Sequence, residues 1–132
     1  MLENLYIEIN RVRQIHGFLP CSPNNYLEIA ASNHAQDMQI NNYVSHVGLN
    51  GSSYISRVRD TGAKFNPTGE IICKGPGGKN CISAVVDAWL KSPGHREIML
   101  HPMNVFFGGG YRLKSDEYKG NYWVVLFANH IN

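Results

Sequence analysis

The apolar residues of this chain change their spacing near its middle, from a helical period to the short runs of strands. Leu2, Leu5 and Ile9 begin a helical pattern that predicts a helix over residues 2–16, ended by Gly17. Later in the chain, the segments "VFFGGGYRLK" and "YWVVLFANHI" are typical of strands. Because a sheet has two apolar faces to bury, helices are expected on both of its sides. The pattern predicts a three-layer α/β/α sandwich with a small, mainly antiparallel central sheet.

Further elements are predicted between these segments. The loop "FLPCSPNN" precedes a helix that Asn24 or Asn25 caps and that runs to about residue 41. A short helix, "YISRVRDTG", follows Ser52 or Ser53, and a strand, "GEIICKG", leads into the helix "KNCISAVVDAWLKS". The polar linker "SDEYKGN" is short enough to join the last two of three predicted strands as an antiparallel hairpin.

Length and charge exclude several classes of protein. A chain of 132 residues fits one domain, which we assign to residues 1–132. Its 12 Lys and Arg residues nearly balance its 10 Asp and Glu residues and are scattered, so we expect no nucleic-acid partner. No apolar run is long enough for a transmembrane segment, and the N-terminal stretch does not resemble a signal peptide. We expect a monomer whose export signal, if it has one, lies outside this sequence.

Two glycine-rich segments fail as nucleotide-binding motifs. "GPGGKN" lacks the spacing of a P-loop and has Asn80 where a hydroxyl is required. "GGGYR" lies inside a strand pattern with no helix after it. Its glycines instead predict a bulge or the close approach of another backbone.

Three cysteines leave two alternatives open. Cys73 and Cys81 are separated by the short segment "KGPGGKN", so a disulfide would join a strand end to a helix start. It would contribute roughly 2–3 kcal/mol in the chain-entropy model. Two separate buried thiols fit the same positions, because free cysteine packs as a small apolar residue. Cys21 is then free or pairs with another chain.

Three polar residues lie beside glycine or serine at predicted element boundaries. They are His46 in "VSHVG", Glu70 in "TGEII" and His95 in "SPGHR", and Pro93 is expected to end the preceding helix near Trp89 and leave His95 on a turn. Two histidines and a carboxylate suit a zinc or other divalent site, or a general acid–base site. Without an H-E-x-x-H pattern, their spacing does not distinguish such a site from surface or capping residues.

The remaining histidines and the serines are predicted to have ordinary structural roles. His34 falls on the apolar stripe of its helix and is predicted to be a hydrogen-bonded core residue. His16, His101 and His130 lie near element ends, where capping or solvent suffices. No serine occurs in a G-x-S-x-G pattern, so the sequence does not support covalent catalysis.

Taken in order, several segments closely resemble the CAP superfamily, which includes cysteine-rich secretory proteins, antigen 5 and pathogenesis-related proteins of class 1. These segments are "AASNHAQDM", "SHVGLNGSSYISRVRDTG", "GEII", "AVVDAWLKSPGHREIML" and "YWVVLFA", and the Ser-Pro-Gly-His-Arg form is similar to the bacterial SCP-like branch. The resemblance covers nearly the whole chain. It implies an α/β/α sandwich with a central cleft, and a secreted, periplasmic or extracellular location.

The resemblance also implies roles for individual residues. In the family, two histidines and two acidic residues line the cleft, and the histidines can hold zinc or another divalent ion. His46, Glu70 and His95 match three of these positions. Eukaryotic members have a glutamate three residues after the helix tryptophan, where this chain has Ser92. We therefore expect a cleft of His46, Glu70, His95 and Ser92, with His46 and His95 holding a metal only weakly.

Three functions follow from this reasoning. The first is a secreted, non-catalytic binding module whose cleft holds a divalent metal or a small apolar or lipid-like ligand. The second is a metal-dependent peptidase in which His46 and His95 hold the ion and Glu70 is the base for a metal-bound water. In the third, the polar residues only stabilise the sandwich. Two histidines are one short of the usual three protein ligands of catalytic zinc, which favours binding over catalysis.

Overall fold

The computed structural model of the chain describes residues 1–75, 77–78, 80–113 and 121–130. The described helices and strands, in chain order, are α1 (Leu2–Ile15), β1 (Ser22–Pro23), α2 (Asn25–Asn41), α3 (Tyr54–Asp60), β2 (Phe65–Gly75), α4 (Cys81–Lys91), α5 (Pro93–Met99), β3 (Phe106–Arg112) and β4 (Asn121–His130).

The sheet has the strand order β1-β3-β4-β2 among the described residues. Strand β4 pairs antiparallel with both β2 and β3, as predicted for the longer strands. The two residues of β1 pair parallel with β3 and make the sheet mixed. We predicted a loop at β1, because so short a strand has no period of its own. The predicted hairpin linker, residues 115–121, lies almost wholly outside the described residues.

Alternate side chains of β4 point into two separate apolar cores. Trp123, Val125 and Phe127 pack in one core with residues from α1, α4 and α5. Val124 and Leu126 pack in the other with residues from α2 and α3. Because both faces of this strand are covered, its sequence is almost continuously apolar. The predicted α/β/α sandwich is confirmed.

Helix α2 lies unusually close to β3, at two of the three consecutive glycines. A Cβ atom on Gly108 would lie 2.4 Å from the backbone nitrogen of Glu28, and one on Gly110 would lie 2.3 Å from that of Ser32. Gly109 faces the other core, where a Cβ atom would meet Leu2 and Leu5 at 3.2 Å. The prediction that these glycines allow the close approach of another backbone is confirmed.

The segment after α4 differs from the sequence prediction. Helix α4 does end near Trp89, and Ser92 is extended with φ −100° and ψ 114°. His95, however, is not on a turn, because Pro93 begins a new helix, α5. Proline fits the first position of a helix, where its missing N–H would have no intrahelical partner. His95 therefore lies in the first turn of α5.

The predicted disulfide is not formed, and Cys21, Cys73 and Cys81 are all free thiols. Cys73 and Cys81 pack against the same apolar core, which is the alternative kept open above. Burial raises the pKa of Cys73, and it raises the pKa of Cys21 to about 11. Because the thiolate is the reactive form, these two thiols should react slowly in the folded protein.

We expect all three cysteines to be alkylated when protein that has never met reductant is unfolded in guanidinium chloride with iodoacetamide. In the folded protein at the same pH, Cys21 and Cys73 should react more slowly, because Cys21 is buried, Cys73 is half-buried, and burial raises the pKa of both thiols. Mass spectrometry measures both reactions. Unfolded protein that takes up label only at Cys21 until reductant is added would show a Cys73–Cys81 disulfide.

Candidate functional site

Glu70, on β2, is the buried centre of a polar cluster that also contains the half-exposed His46. Its carboxylate has no solvent exposure. The Oε1 atom lies 2.9 Å from Nδ1 of His46, and Oε2 lies 2.6 Å from Nη2 of Arg57. Both carboxylate oxygens are therefore engaged by other side chains.

Arg57 connects α3 to the loop that carries His46. Besides Glu70, its Nη2 donates to the carbonyl oxygen of His46 at 3.1 Å, and its Nη1 donates to that of Ser52 at 3.0 Å. The side chain is only 11% exposed. A guanidinium offers several donors in a fixed plane, so one side chain can hold the carboxylate and two points of the loop together.

His34 holds the same loop from the side of α2. Its Nε2 lies 2.7 Å from the carbonyl oxygen of Ser45, the residue before His46. His34 is buried, as predicted for a hydrogen-bonded core histidine. Burial lowers its pKa, which keeps the ring neutral at neutral pH. The backbone at His46 is thus fixed by Arg57 on one side and His34 on the other.

The contact with Glu70 fixes the tautomer of His46. A carboxylate only accepts hydrogen bonds, so the proton lies on Nδ1 and the neutral ring keeps a lone pair on Nε2. Metal-binding histidines commonly have this arrangement. The hydrogen bond to Glu70 raises the pKa of His46, while burial and the charge of Arg57 oppose it.

His95 lies near this cluster but is held by a different partner. Its Nδ1 is 2.8 Å from the hydroxyl oxygen of Ser92. Helix α5 packs on β2 next to Glu70, where a Cβ atom on Gly69 would lie 2.6 Å from the side chain of Ile98. Burial lowers the pKa of His95, and so does the charge of His46. Ser92 thus orients His95 through a neutral hydroxyl.

The site offers a metal few ligands. Within the described part of the chain, no group of three His, Cys, Asp or Glu side chains is placed to hold an ion. The second nitrogens of His46 and His95 remain, which is one ligand short of the usual catalytic zinc site. Glu70 does not fit the role of general base, because it is buried and both its oxygens are already bonded.

Sequence reasoning missed Arg57. The segment "YISRVRD" contains Arg57 and Arg59 on one short helix, and nothing in its composition distinguishes them. The helix boundaries give a partial signal, because Val58 points into the core and its two neighbours must lie on opposite flanks. Only the position of β2 shows which arginine faces Glu70.

The fold and these residues can now be compared with known proteins. The model of the cysteine-rich secretory protein family, CAP, matches residues 6–127. The chain belongs to this family. Among solved structures, this CAP domain superimposes on an outer surface protein of Borrelia burgdorferi with a TM-score of 0.85 and 28% identity, over 98% of this chain and 92% of that one. An extracellular SCP-domain protein of Bacillus anthracis gives a TM-score of 0.81 at 23% identity, over 96% of this chain and 39% of that one.

Relatives found by sequence are similar bacterial proteins without an assigned activity. The uncharacterized protein YkwD of Bacillus subtilis is 32% identical to this chain. The matched region covers 77% of this chain and 38% of that relative. An uncharacterized protein of Borreliella burgdorferi is 32% identical over 94% of the domain and 76% of its own length. Among the helices that the structure describes, none has the length and apolar character needed to cross a membrane.

Proposed function

We propose that this CAP domain is a non-catalytic extracellular binding module, with a site at His46 and His95 that takes a divalent metal weakly. The observation that carries this proposal is the state of Glu70, whose carboxylate has no solvent exposure and bonds His46 and Arg57 with its two oxygens. Glu70 therefore orients His46, a metal-binding residue, and does not deprotonate a water. The extracellular location is supported by the outer surface and extracellular proteins to which the chain is similar.

Two features support weak metal binding. His46 presents Nε2 with its ring held by a carboxylate, and His95 presents its second nitrogen with its ring held by Ser92. Two imidazole nitrogens fill only two coordination positions of the ion, so water would fill the others. Zinc or another divalent cation is therefore expected to exchange readily instead of staying bound through purification.

A small apolar or lipid-like molecule is the second candidate ligand for this site. Val44 and Val47 flank His46 in the sequence and are 50% and 57% exposed. Such a molecule would cover these apolar side chains and recover part of their hydrophobic free energy. The proposal does not include peptide hydrolysis, because the site supplies neither an available base nor an identified nucleophile.

Zinc titrated calorimetrically into metal-free protein should bind weakly, and His46→Ala and His95→Ala should each reduce the affinity by about 10-fold or more. Binding requires a neutral imidazole, and the pKa of His46 is raised. The affinity for zinc should therefore begin to fall while the pH is still above about 6.5, the ordinary pKa of histidine. His95, with its lowered pKa, stays neutral to lower pH.

His16→Ala is the matched control, because His16 is an exposed histidine at the end of α1, and it should bind zinc as the wild type does. An equal loss in His16→Ala would place the metal elsewhere. Nanomolar zinc binding, with peptide cleavage that disappears in both His95→Ala and Glu70→Gln, would replace the binding module with a hydrolase.

A further inference from the structure

A cavity lies between α2, α3 and the loop that joins them. Its volume is about 450 Å³, within the range of roughly 300–1,000 Å³ common for small-molecule sites. It borders the site described above, because Arg57 and His34 form part of its wall. The lining combines three apolar side chains with eight polar ones: Ile29, Ala30, Leu49, Asn33, His34, Asp37, Asn50, Ser52, Arg57, Asp60 and Thr61.

Several polar groups of this wall have hydrogen-bonding capacity to spare. The side chains of Asn33 and Asp60 make no hydrogen bond or ion pair within the described residues, so a carboxamide and a carboxylate are available. Asn50 uses its side-chain oxygen to accept from the backbone of Ser52, which leaves its NH₂ group. The hydroxyl oxygen of Ser52 accepts from Arg57, which leaves its proton to donate.

The charges of the wall disfavour an anionic ligand. The positive charge of Arg57 is matched by Glu70 at 2.6 Å. Asp37 and Asp60 add two further carboxylates, and Asp37 already accepts hydrogen bonds from Asn41 and Tyr43. A neutral ligand that both donates and accepts would pair with these groups without burying a charge of its own.

Apolar side chains complete the wall. Ile29 and Leu49 are 51% and 65% exposed, so their surface is available to a ligand. A sugar ring has C–H faces that cover such side chains and hydroxyl groups around its edge. Each hydroxyl can donate to a carboxylate and accept from an amide, which is the combination that Asp60 and Asn50 provide.

We propose that the cavity between α2 and α3 binds a neutral saccharide unit, with Asn33, Asn50 and Asp60 holding its hydroxyls and Ile29 and Leu49 contacting its ring. This ligand goes beyond the proposed metal site and does not depend on it. The two sites share Arg57, but the nitrogen atoms of His46 and His95 that would bind a metal are not part of this wall.

Two-dimensional ¹H–¹⁵N NMR with isotope-labelled protein tests the proposal, using D-glucose, N-acetyl-D-glucosamine and its β-1,4-linked disaccharide as separate probes. At least one sugar should give saturable shifts for amides in residues 29–37 and 49–61, with a dissociation constant in the millimolar range or tighter. Asn33→Leu should weaken that binding about 10-fold, the loss expected for one hydrogen bond. Asp60→Asn should weaken it less, because the amide oxygen still accepts but without the negative charge.

Glu97→Gln is the control for a charge change, because Glu97 is exposed on α5 and is not part of this wall, and it should bind sugar as the wild type does. His46→Ala should lose zinc affinity but keep sugar binding, so the two proposals fail separately. No saturable shift with any of the three sugars would overturn the saccharide site. Tighter binding of 1,5-diaminopentane, lost in Asp60→Asn, would also overturn it and indicate an organic cation.

Discussion

Replacing Arg57 with methionine should lower the free energy of unfolding at pH 8 by about 3–5 kcal/mol, the loss expected when one partner of a buried ion pair is removed. The variant leaves the carboxylate of Glu70 in the protein interior with a neutral His46 as its remaining side-chain partner. It also frees the carbonyl oxygens of His46 and Ser52. Urea unfolding followed by circular dichroism measures the change.

The same variant should be less destabilised at pH 6. The charge of Arg57 holds down the pKa of His46, so that pKa should rise further in Arg57→Met. A histidine whose pKa is raised by folding stabilises the protein below its unfolded pKa, near 6.5, and this contribution disappears as the pH rises through the folded pKa. Protonated His46 would thus partly replace the missing guanidinium.

Arg59→Met is the matched control, because Arg59 lies on the same helix two residues later and is exposed. Exposed substitutions of this kind usually change stability by less than about 0.5 kcal/mol. Equal losses in the two variants, or a loss in Arg57→Met that does not depend on pH, would contradict the central role given to the Arg57–Glu70 pair.

Gly110→Ala should destabilise the domain by about 3 kcal/mol, at the upper end of the range for overpacking. The added methyl group would lie 2.3 Å from the nitrogen of Ser32 and 2.4 Å from its Cα. Both atoms belong to the backbone of α2, which can move away only by breaking its contacts with the sheet. Chemical denaturation of the variant measures the loss.

The same substitution at two other glycines tests whether the loss of stability follows the contacts of the added methyl group. Gly109→Ala should cost less, because its methyl group meets the flexible ends of Leu2 and Leu5 at 3.2 Å. Gly94→Ala meets nothing within 4 Å in α5 and should stabilise the helix by roughly 0.5–1 kcal/mol. A Gly110→Ala protein as stable as Gly94→Ala would show that α2 does not pack this closely on β3.

Local sequence patterns were sufficient to predict most of the helices and strands. Leu2, Leu5 and Ile9 do lie on the buried face of α1, or next to it, and Asn24 does cap α2 through hydrogen bonds to two backbone nitrogens. The apolar run of β4 is buried on both faces. These features depend on residues a few positions apart, so their physical cause is present in the sequence itself.

The residue types of the candidate site were also readable from the motifs, but their arrangement was not. His46 and Glu70 stood out beside glycine and serine, whereas Arg57 did not, although it makes the shorter contact with Glu70. The general-base role considered for Glu70 is not favoured, because the carboxylate is buried and Arg57 and His46 bond its two oxygens.

The sequence by itself determined helices α1 to α4, the long strands, the two-sided sheet and the candidate residues, since all of these follow from short-range periodicity and motif. Only the tertiary structure decided that Pro93 starts α5, that Cys73 and Cys81 stay unpaired, and that Arg57 turns toward Glu70. A proline can either end a helix or begin one, and the other two outcomes depend on which distant segment packs alongside. The energy of a buried charge or of a bond between two side chains arises only when folding brings its partner within a few ångströms.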